Sequence, residues 1–194
     1  MARYLIDHQV YGVKWLFSKY ATSDSAILGD DMGMGKTVQM AAFLNVVFMK
    51  SGTMLDKFVA QFKRQGTLTD ILHQVQSGTI SRDLSSTLSS YSTALLPLLR
   101  SMHSAYRHYA ACKPALVICP KSLVDNWARE LKLWGYFLVD VLSNQCDADQ
   151  TADMLRRARD RRSEIVLVSY SQIDRFVAEL ESIETSWSLT RATH

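Results

Sequence analysis

Apolar and polar positions recur with two periods along this chain, and the changes of period mark its elements. From Tyr4 to Tyr20, the residues Leu5, His8, Gly12, Trp15, Leu16 and Lys19 return at helical spacing, with apolar residues dominating one face, which predicts a helix. The stretch "TSDS" breaks that pattern. "AILG", at 26–29, is a short apolar run ending in glycine, as a buried strand does. Lys36 to Met49 is helical again, with Ala41, Ala42, Leu44 and Val47 among its helix formers. Further on, Ala115 to Cys119 predicts a buried strand, and Ser122 is placed to cap a helix running to about Leu133. "YFLVDVL" is a strand candidate, Asp149 to Arg162 a charged helix, "EIVLVSY" a strand, and Gln172 to Glu181 a helix. Strands alternating with helices predict an α/β fold, a parallel sheet with helices on both faces.

One segment departs from this alternation. From about Ser51 to Lys113 the chain is rich in Ser and Thr, and between Leu68 and Leu99 it is poor in charge. The bias of "SSTLSSYSTALLPLL" favours a mobile insertion, with a short packed helix as the alternative.

With 194 residues and 47% hydrophobic content, the chain suits one domain with a real core. Its net charge of +3 permits a nucleic-acid partner without arguing for one. Three cysteines, Cys112, Cys119 and Cys146, lack paired metal spacing and suit a reducing compartment. "MARYLIDHQV" has no basic region followed by an apolar core, and no apolar run approaches the roughly 18 residues of a membrane span. A soluble, intracellular chain is expected, with no membrane partner.

The chemistry begins at "GDDMGMGKTVQ", Gly29 to Gln39. Gly35, Lys36 and Thr37 match the end of the phosphate-loop pattern G-x-x-x-x-G-K-[ST], while its first glycine position falls on Asp30. Gly33 and Gly35 allow the backbone to turn and aim N–H groups inward, and the following helix adds its positive end. Lys36 is placed to reach the β- and γ-phosphates, and Thr37 to hold Mg²⁺ through its hydroxyl. A glycine-rich turn with a chance lysine is the bland alternative. The motif alone implies a nucleoside triphosphate and does not say which.

Other segments narrow this. "YLIDHQVYGVKWL", "ILGDDMGMGKTVQ", "ALVICPKSLVDNWARELKLWG" and "IVLVSYSQI" follow one another in that order. The series resembles the first RecA-like lobe of Snf2-family ATPases, DNA translocases of helicase superfamily 2. That family uses an acidic pair before M-G-x-G-K-T-x-Q, which accounts for Asp30. Within it, "LGDDMGMGKTVQ" and "WGYF" look most like the excision-repair group 6-like branch. The resemblance implies a P-loop, RecA-like lobe spanning residues 1–194, partial, with the insertion at 51–113. It implies ATP and Mg²⁺ as cofactors, double-stranded DNA or chromatin as partner together with a second RecA-like lobe, and the nucleus as location. Gln9 matches the glutamine that reads adenine. Asp30, Asp31, Met32, Gly33, Met34, Gly35, Lys36 and Thr37 match the phosphate loop, with Lys36 and Thr37 serving catalysis. Lys121, Ser122, Asn126 and Trp127 lie in a segment that approaches and supports the DNA backbone, as do Ser169 and Tyr170. Simpler roles stand beside these: Trp127 as core, Asn126 as a surface polar group, Ser122 as a helix cap, Gln9 as a polar helix residue. "RRARDRR", Arg156 to Arg162, admits phosphate contact or a nuclear address, though on a charged helix a solvated face is the ordinary case.

The family's next motif is an Asp-Glu pair on a strand after a tryptophan. Trp187 stands in about that place, followed by "SLTRATH", and no D-E-x-H occurs in the chain. Asp174, Glu179 and Glu181 do not substitute. The expectation is a lobe with the phosphate grip but without its carboxylate partner, inactive alone, and with an exposed sheet edge. A non-catalytic product that binds ATP, DNA or a protein partner is the alternative. A GTPase-like switch lacks support, since no N-K-x-D segment is present.

Overall fold

The computed structural model describes residues 4–182 and the backbone of 189–191; the side chains of residues 179, 181 and 182 are not described. Trp187 and the side chains of Glu179 and Glu181 therefore lie outside the described residues. Helix α1 (Asp7–Ala21) precedes a loop and α2 (Lys36–Val47). Five helices follow: α3 (Leu55–Gln65), α4 (Leu68–Ser77), α5 (Arg82–Tyr91), α6 (Leu95–Ser101) and α7 (His103–Ala111). The remainder alternates as predicted: β1 (Ala115–Cys119), α8 (Val124–Gly135), β2 (Val139–Leu142), α9 (Ala148–Arg159), β3 (Ile165–Ser169), α10 (Ile173–Ser182) and β4 (Leu189–Arg191).

The sheet has the order β2-β3-β1-β4, and every pair is parallel. Alternation along a strand sends successive side chains to opposite faces. Ala115, Val117 and Cys119 of β1, with Ile165 and Leu167 of β3, enter the core shared with α1–α8. Leu116, Ile118, Val166 and Val168 enter a second core with Leu155 and Ala158 of α9 and Phe176 and Leu180 of α10. Both faces are thus covered by helices, which is why β1 and β3 are buried at all five positions. The architecture is that of an incomplete α/β, RecA-like lobe.

The insertion at 51–113 is ordered, contrary to the mobile expectation. Leu68, Ile71, Leu72 and Val75 of α4, at helical spacing, are buried in the same core as the sheet, with Leu88, Leu95, Leu99, Tyr106 and Tyr109. The serines that biased the composition lie on the outward side of α5. The Ser81 hydroxyl caps that helix by accepting from the Leu84 amide at 3.1 Å. Thr87 and Ser90 donate back to the carbonyls of Asp83 and Thr87 at 2.7 Å each. Leu84, Leu88 and Tyr91 form the inward stripe, and the Tyr91 ring lies 5.3 Å from that of Phe62.

Two further expectations are corrected. Ala26–Gly29 pairs with none of the four strands, and Ile27 is 81% exposed, so this run is a loop and not a buried strand. Ser122 does not cap α8. A single 3-10 turn, Lys121–Leu123, intervenes, Leu123 takes the cap position without a side-chain bond, and Ser122 is exposed.

The basic run is more than a solvated face. Arg157 of α9 and Arg64 of α3 both bind Asp140 of β2, at 3.0 and 2.7 Å, and Ser163 donates to the same carboxylate at 2.5 Å. Burial would raise the Asp140 carboxyl, but the bonds from Arg64 and Ser163 outweigh it and hold the group below the usual range. Arg161 donates to the Ala111 carbonyl at 3.2 Å. Arginines therefore join the insertion to the sheet. Arg156 pairs with Asp153 at the surface. No described helix is long and apolar enough to cross a membrane.

Candidate functional site

The loop between Asp30 and α2 is shaped by two glycines. Gly33 and Gly35 sit at φ +89° and +77°, in the left-handed region that glycine enters without steric cost. Space around Gly33 is open, whereas a side chain on Gly35 would collide with Gln9 Nε2. A turn closes through the Met34 amide to the Asp31 carbonyl at 3.3 Å. Gly35 is also the N-cap of α2. It supplies no capping side chain, and the first turn of α2 holds no acidic residue. The first amides of a helix have no acceptor within it, and its dipole is positive there. The start of α2 is thus an uncompensated donor cluster facing the loop.

Lys36 reaches back over the loop. Its ammonium donates to the carbonyls of Asp30, at 2.5 Å, and Asp31, at 3.0 Å. Gln39 lies one turn further along α2 with no solvent exposure. Its Nε2 donates to Asp30 Oδ2 at 2.7 Å and to the Met34 carbonyl at 3.4 Å.

Helix α1 supplies the other wall. Gln9 Nε2 donates to the Met34 carbonyl at 3.3 Å, and the ring of His8 meets the same oxygen at 3.2 Å. Gln9 Oε1 also accepts from the Ile6 amide at 3.3 Å, at the N-terminus of α1. Gln9 is thus not a solvated helix residue. It touches the loop 25 positions later in the chain. Gly12 makes this approach possible, since a side chain there would collide with Gln39 Oε1.

The donor set fits a polyphosphate: a bare helix start, open space at Gly33 and a lysine held by carbonyls alone. Asp31, Met32, Gly33 and Met34 are exposed, while Lys36 and Thr37 are half-buried. No group of three His, Cys, Asp or Glu able to hold a metal occurs among the described residues. A cleft of about 310 Å³ lies elsewhere, lined by residues including Lys63, Gly66, Asp160, Arg161 and Arg162, and none of the loop residues borders it.

The second group of candidates comes together at the C-terminal ends of β1 and β3. Cys119 and Ser169 are register partners, and the Tyr170 amide donates to the Cys119 carbonyl at 3.0 Å. Lys121, Ser122 and Tyr170 are exposed beside one another's strand ends. Ser169 is buried and donates to Gln172 Oε1 at 2.8 Å, so it supports this edge from beneath. Asn126 is half-buried and accepts from Arg129 at 2.6 Å. Trp127 is core, at 6% exposure. Sequence reasoning missed Gln39 and His8. For Gln39 the signal was its place one turn into α2, where side chains lean back toward the N-terminus and so toward the loop.

Comparison with known proteins agrees with this geometry. Residues 8–190 match the family model described as the SNF2-related domain. The chain is 31% identical over 192 residues to the DNA excision repair protein ERCC-6-like 2 of Mus musculus, covering 99% of the chain and 10% of that protein. Against the ISWI chromatin-remodeling complex ATPase ISW2 of Saccharomyces cerevisiae it is 27% identical over 172 residues, 88% of the chain and 10% of the relative. Against the DNA excision repair protein ERCC-6 of Homo sapiens it is 25% identical over 170 residues, 87% and 8% respectively. The chain thus spans about a tenth of the length of these relatives. A matched domain over nearly all of its length, on a parallel sheet with a glycine-shaped loop at the start of α2, makes this chain a member of the Snf2 family of ATPase domains.

Proposed function

We propose that the loop from Asp30 to Thr37 binds the phosphates of ATP, and that this chain is the ATP-binding lobe of a DNA-dependent ATPase that moves along duplex DNA or chromatin in the nucleus. The observation that carries the proposal is the start of α2. It has no capping side chain, no acid in its first turn, two left-handed glycines before it, and Lys36 as its first residue. Such a start takes anions.

When bound, ATP with Mg²⁺ supplies the transferable phosphoryl group and the charge that neutralises it. Lys36 would give up the Asp30 and Asp31 carbonyls for the β- and γ-phosphates. Thr37 would offer its hydroxyl to the metal. Asp31, Met32, Gly33 and Met34 would wrap the phosphates with their backbone, and Gln9, at the loop's α1 side, would read the base as adenine. Lys121, Ser122, Asn126 and Tyr170 would line the DNA backbone, with Ser169 holding their strand end. A second RecA-like lobe would close across the nucleotide and open after hydrolysis. The relatives named for excision repair and chromatin remodelling support this direction.

The 194 residues contain no D-E-x-H, so we propose that this chain alone does not turn ATP over appreciably. The second reading is that this chain binds ATP, DNA or a protein without catalysis. Phosphate release with duplex DNA present, measured beside Lys36→Ala, tests the point. Equal background rates are expected, and release above that variant would contradict it. Mobility of a labelled duplex with and without Lys121→Ala tests the DNA surface, where weaker retention by the variant is expected.

A further inference from the structure

We infer that Gln39 and Asp30 form a clasp that holds the loop in its anion-binding shape while Lys36 changes partners. The inference rests on the nucleotide reading above and assigns positioning roles to these two side chains.

Asp30 is held twice. Its backbone carbonyl accepts from Lys36 at 2.5 Å, and its carboxylate accepts from Gln39 at 2.7 Å. The two holds differ in what an arriving phosphate does to them. Lys36 is the group an anion draws away, and with it go the donors on the Asp30 and Asp31 carbonyls. Gln39 carries no charge and has no solvent exposure, so neither the anion nor water competes strongly for its amide.

One amide nitrogen spans the loop. Nε2 of Gln39 bonds Asp30 at the loop's entry and the Met34 carbonyl near its exit. Gln9 and His8 meet that same carbonyl from α1. These contacts occupy the Met34 oxygen from α1 and α2 at once and tie it to both helices. Gln39 Oε1 accepts no hydrogen bond among the described residues. It is seated against Gly12, where any side chain would collide with it. The glutamine is therefore fixed by shape at one end and by Asp30 at the other, and it couples α1, α2 and the loop.

The test exchanges the two partners. Gln39→Glu places a second carboxylate against Asp30 and breaks the clasp. Adding Asp30→Asn restores a donor–acceptor pair with its direction reversed. Amide hydrogen exchange of residues 31–35 is followed in the free chain, and ATP affinity with Mg²⁺ is measured in parallel. A hydrogen bond to a charged group is worth on the order of tenfold or more in an equilibrium. Gln39→Glu should speed exchange of the loop by about tenfold and weaken ATP by a similar factor. The double variant should return both to near the parent values. Exchange in α3–α7 should stay unchanged in all, which marks an intact fold. If Gln39→Glu disturbs those helices, Asp30→Ala takes its place, since it removes the clasp at a half-buried position. Unchanged loop exchange in the variant, or no recovery in the double variant, would overturn the clasp. A parent chain that fails to bind ATP but shows the expected exchange pattern would overturn the nucleotide reading and leave the clasp standing.

Discussion

Lys50→Met would show how firmly the helix that carries the loop is fixed to the sheet. Lys50 follows α2, and its ammonium lies 2.7 Å from Glu164 Oε1 just before β3, with side-chain exposures of 2% and 0%. At an effective dielectric of about 20, that separation gives an attraction of roughly 6 kcal/mol, much of it offset by desolvation of both ions. Removing the ammonium leaves a buried carboxylate that still accepts from the Leu138 amide at 2.5 Å. The loss expected for breaking one side of such a pair is about 3–5 kcal/mol. The rings of Phe137 and Tyr109, whose centroids lie 4.5 and 5.5 Å from the ammonium, lose their cation as well. Domains are commonly stable by about 5–15 kcal/mol, so the change is a large share of the whole. In equilibrium urea unfolding followed by circular dichroism, the midpoint should fall by at least about 1 M. Combining Lys50→Met with Glu164→Gln should recover part of the loss, because the buried charge goes while an acceptor for Leu138 stays. A midpoint unchanged in Lys50→Met, or strictly additive losses in the pair, would refute the account of this ion pair.

Two other perturbations probe the insertion. Burial pushes the Lys63 ammonium down to about 8 from the ordinary 10.5, while it donates to the Tyr109 and Cys112 carbonyls at 2.6 and 3.2 Å. Between those two values the unfolded chain holds more protons than the folded one, so Lys63 makes stability rise with pH across that window. Relative to Lys63→Met, urea unfolding should show the parent gaining about 3 kcal/mol from pH 8 to 10.5, and a difference flat with pH would contradict this. Leu88→Ala removes a fully buried side chain of α5 and should cost about 2–5 kcal/mol in the same assay. A mobile insertion would lose almost nothing.

The strands and helices around the sheet were legible because their signals are local. "ALVIC" and "IVLVS" are buried on both faces and read as continuous apolar runs, and Asp147 opens α9 with a capping box whose bonds stay within one turn. Three features were not. Serine-rich α5 looked mobile because composition records the outward hydroxyls, while Leu84, Leu88 and Tyr91 hold it through partners distant in sequence. "AILG" has the makeup of a strand, but a strand exists only with a neighbour to pair with. The arginine run looked solvated, since nothing in a single helix discloses that Asp140 lies beneath Arg157. At the site, the glycines and Lys36 stood out in the motif. Gln39 did not, because its role depends on Gly12 of another helix leaving room for it.

The most direct test of the central claim is the affinity of the purified chain for ATP with Mg²⁺, measured beside Lys36→Ala and with GTP as competitor. Binding that is lost in Lys36→Ala and resists GTP is the predicted result, and it would mark Asp30–Thr37 as a working ATP grip with Gln9 at the base. Binding that survives Lys36→Ala, or that GTP displaces as readily as ATP, would contradict the claim.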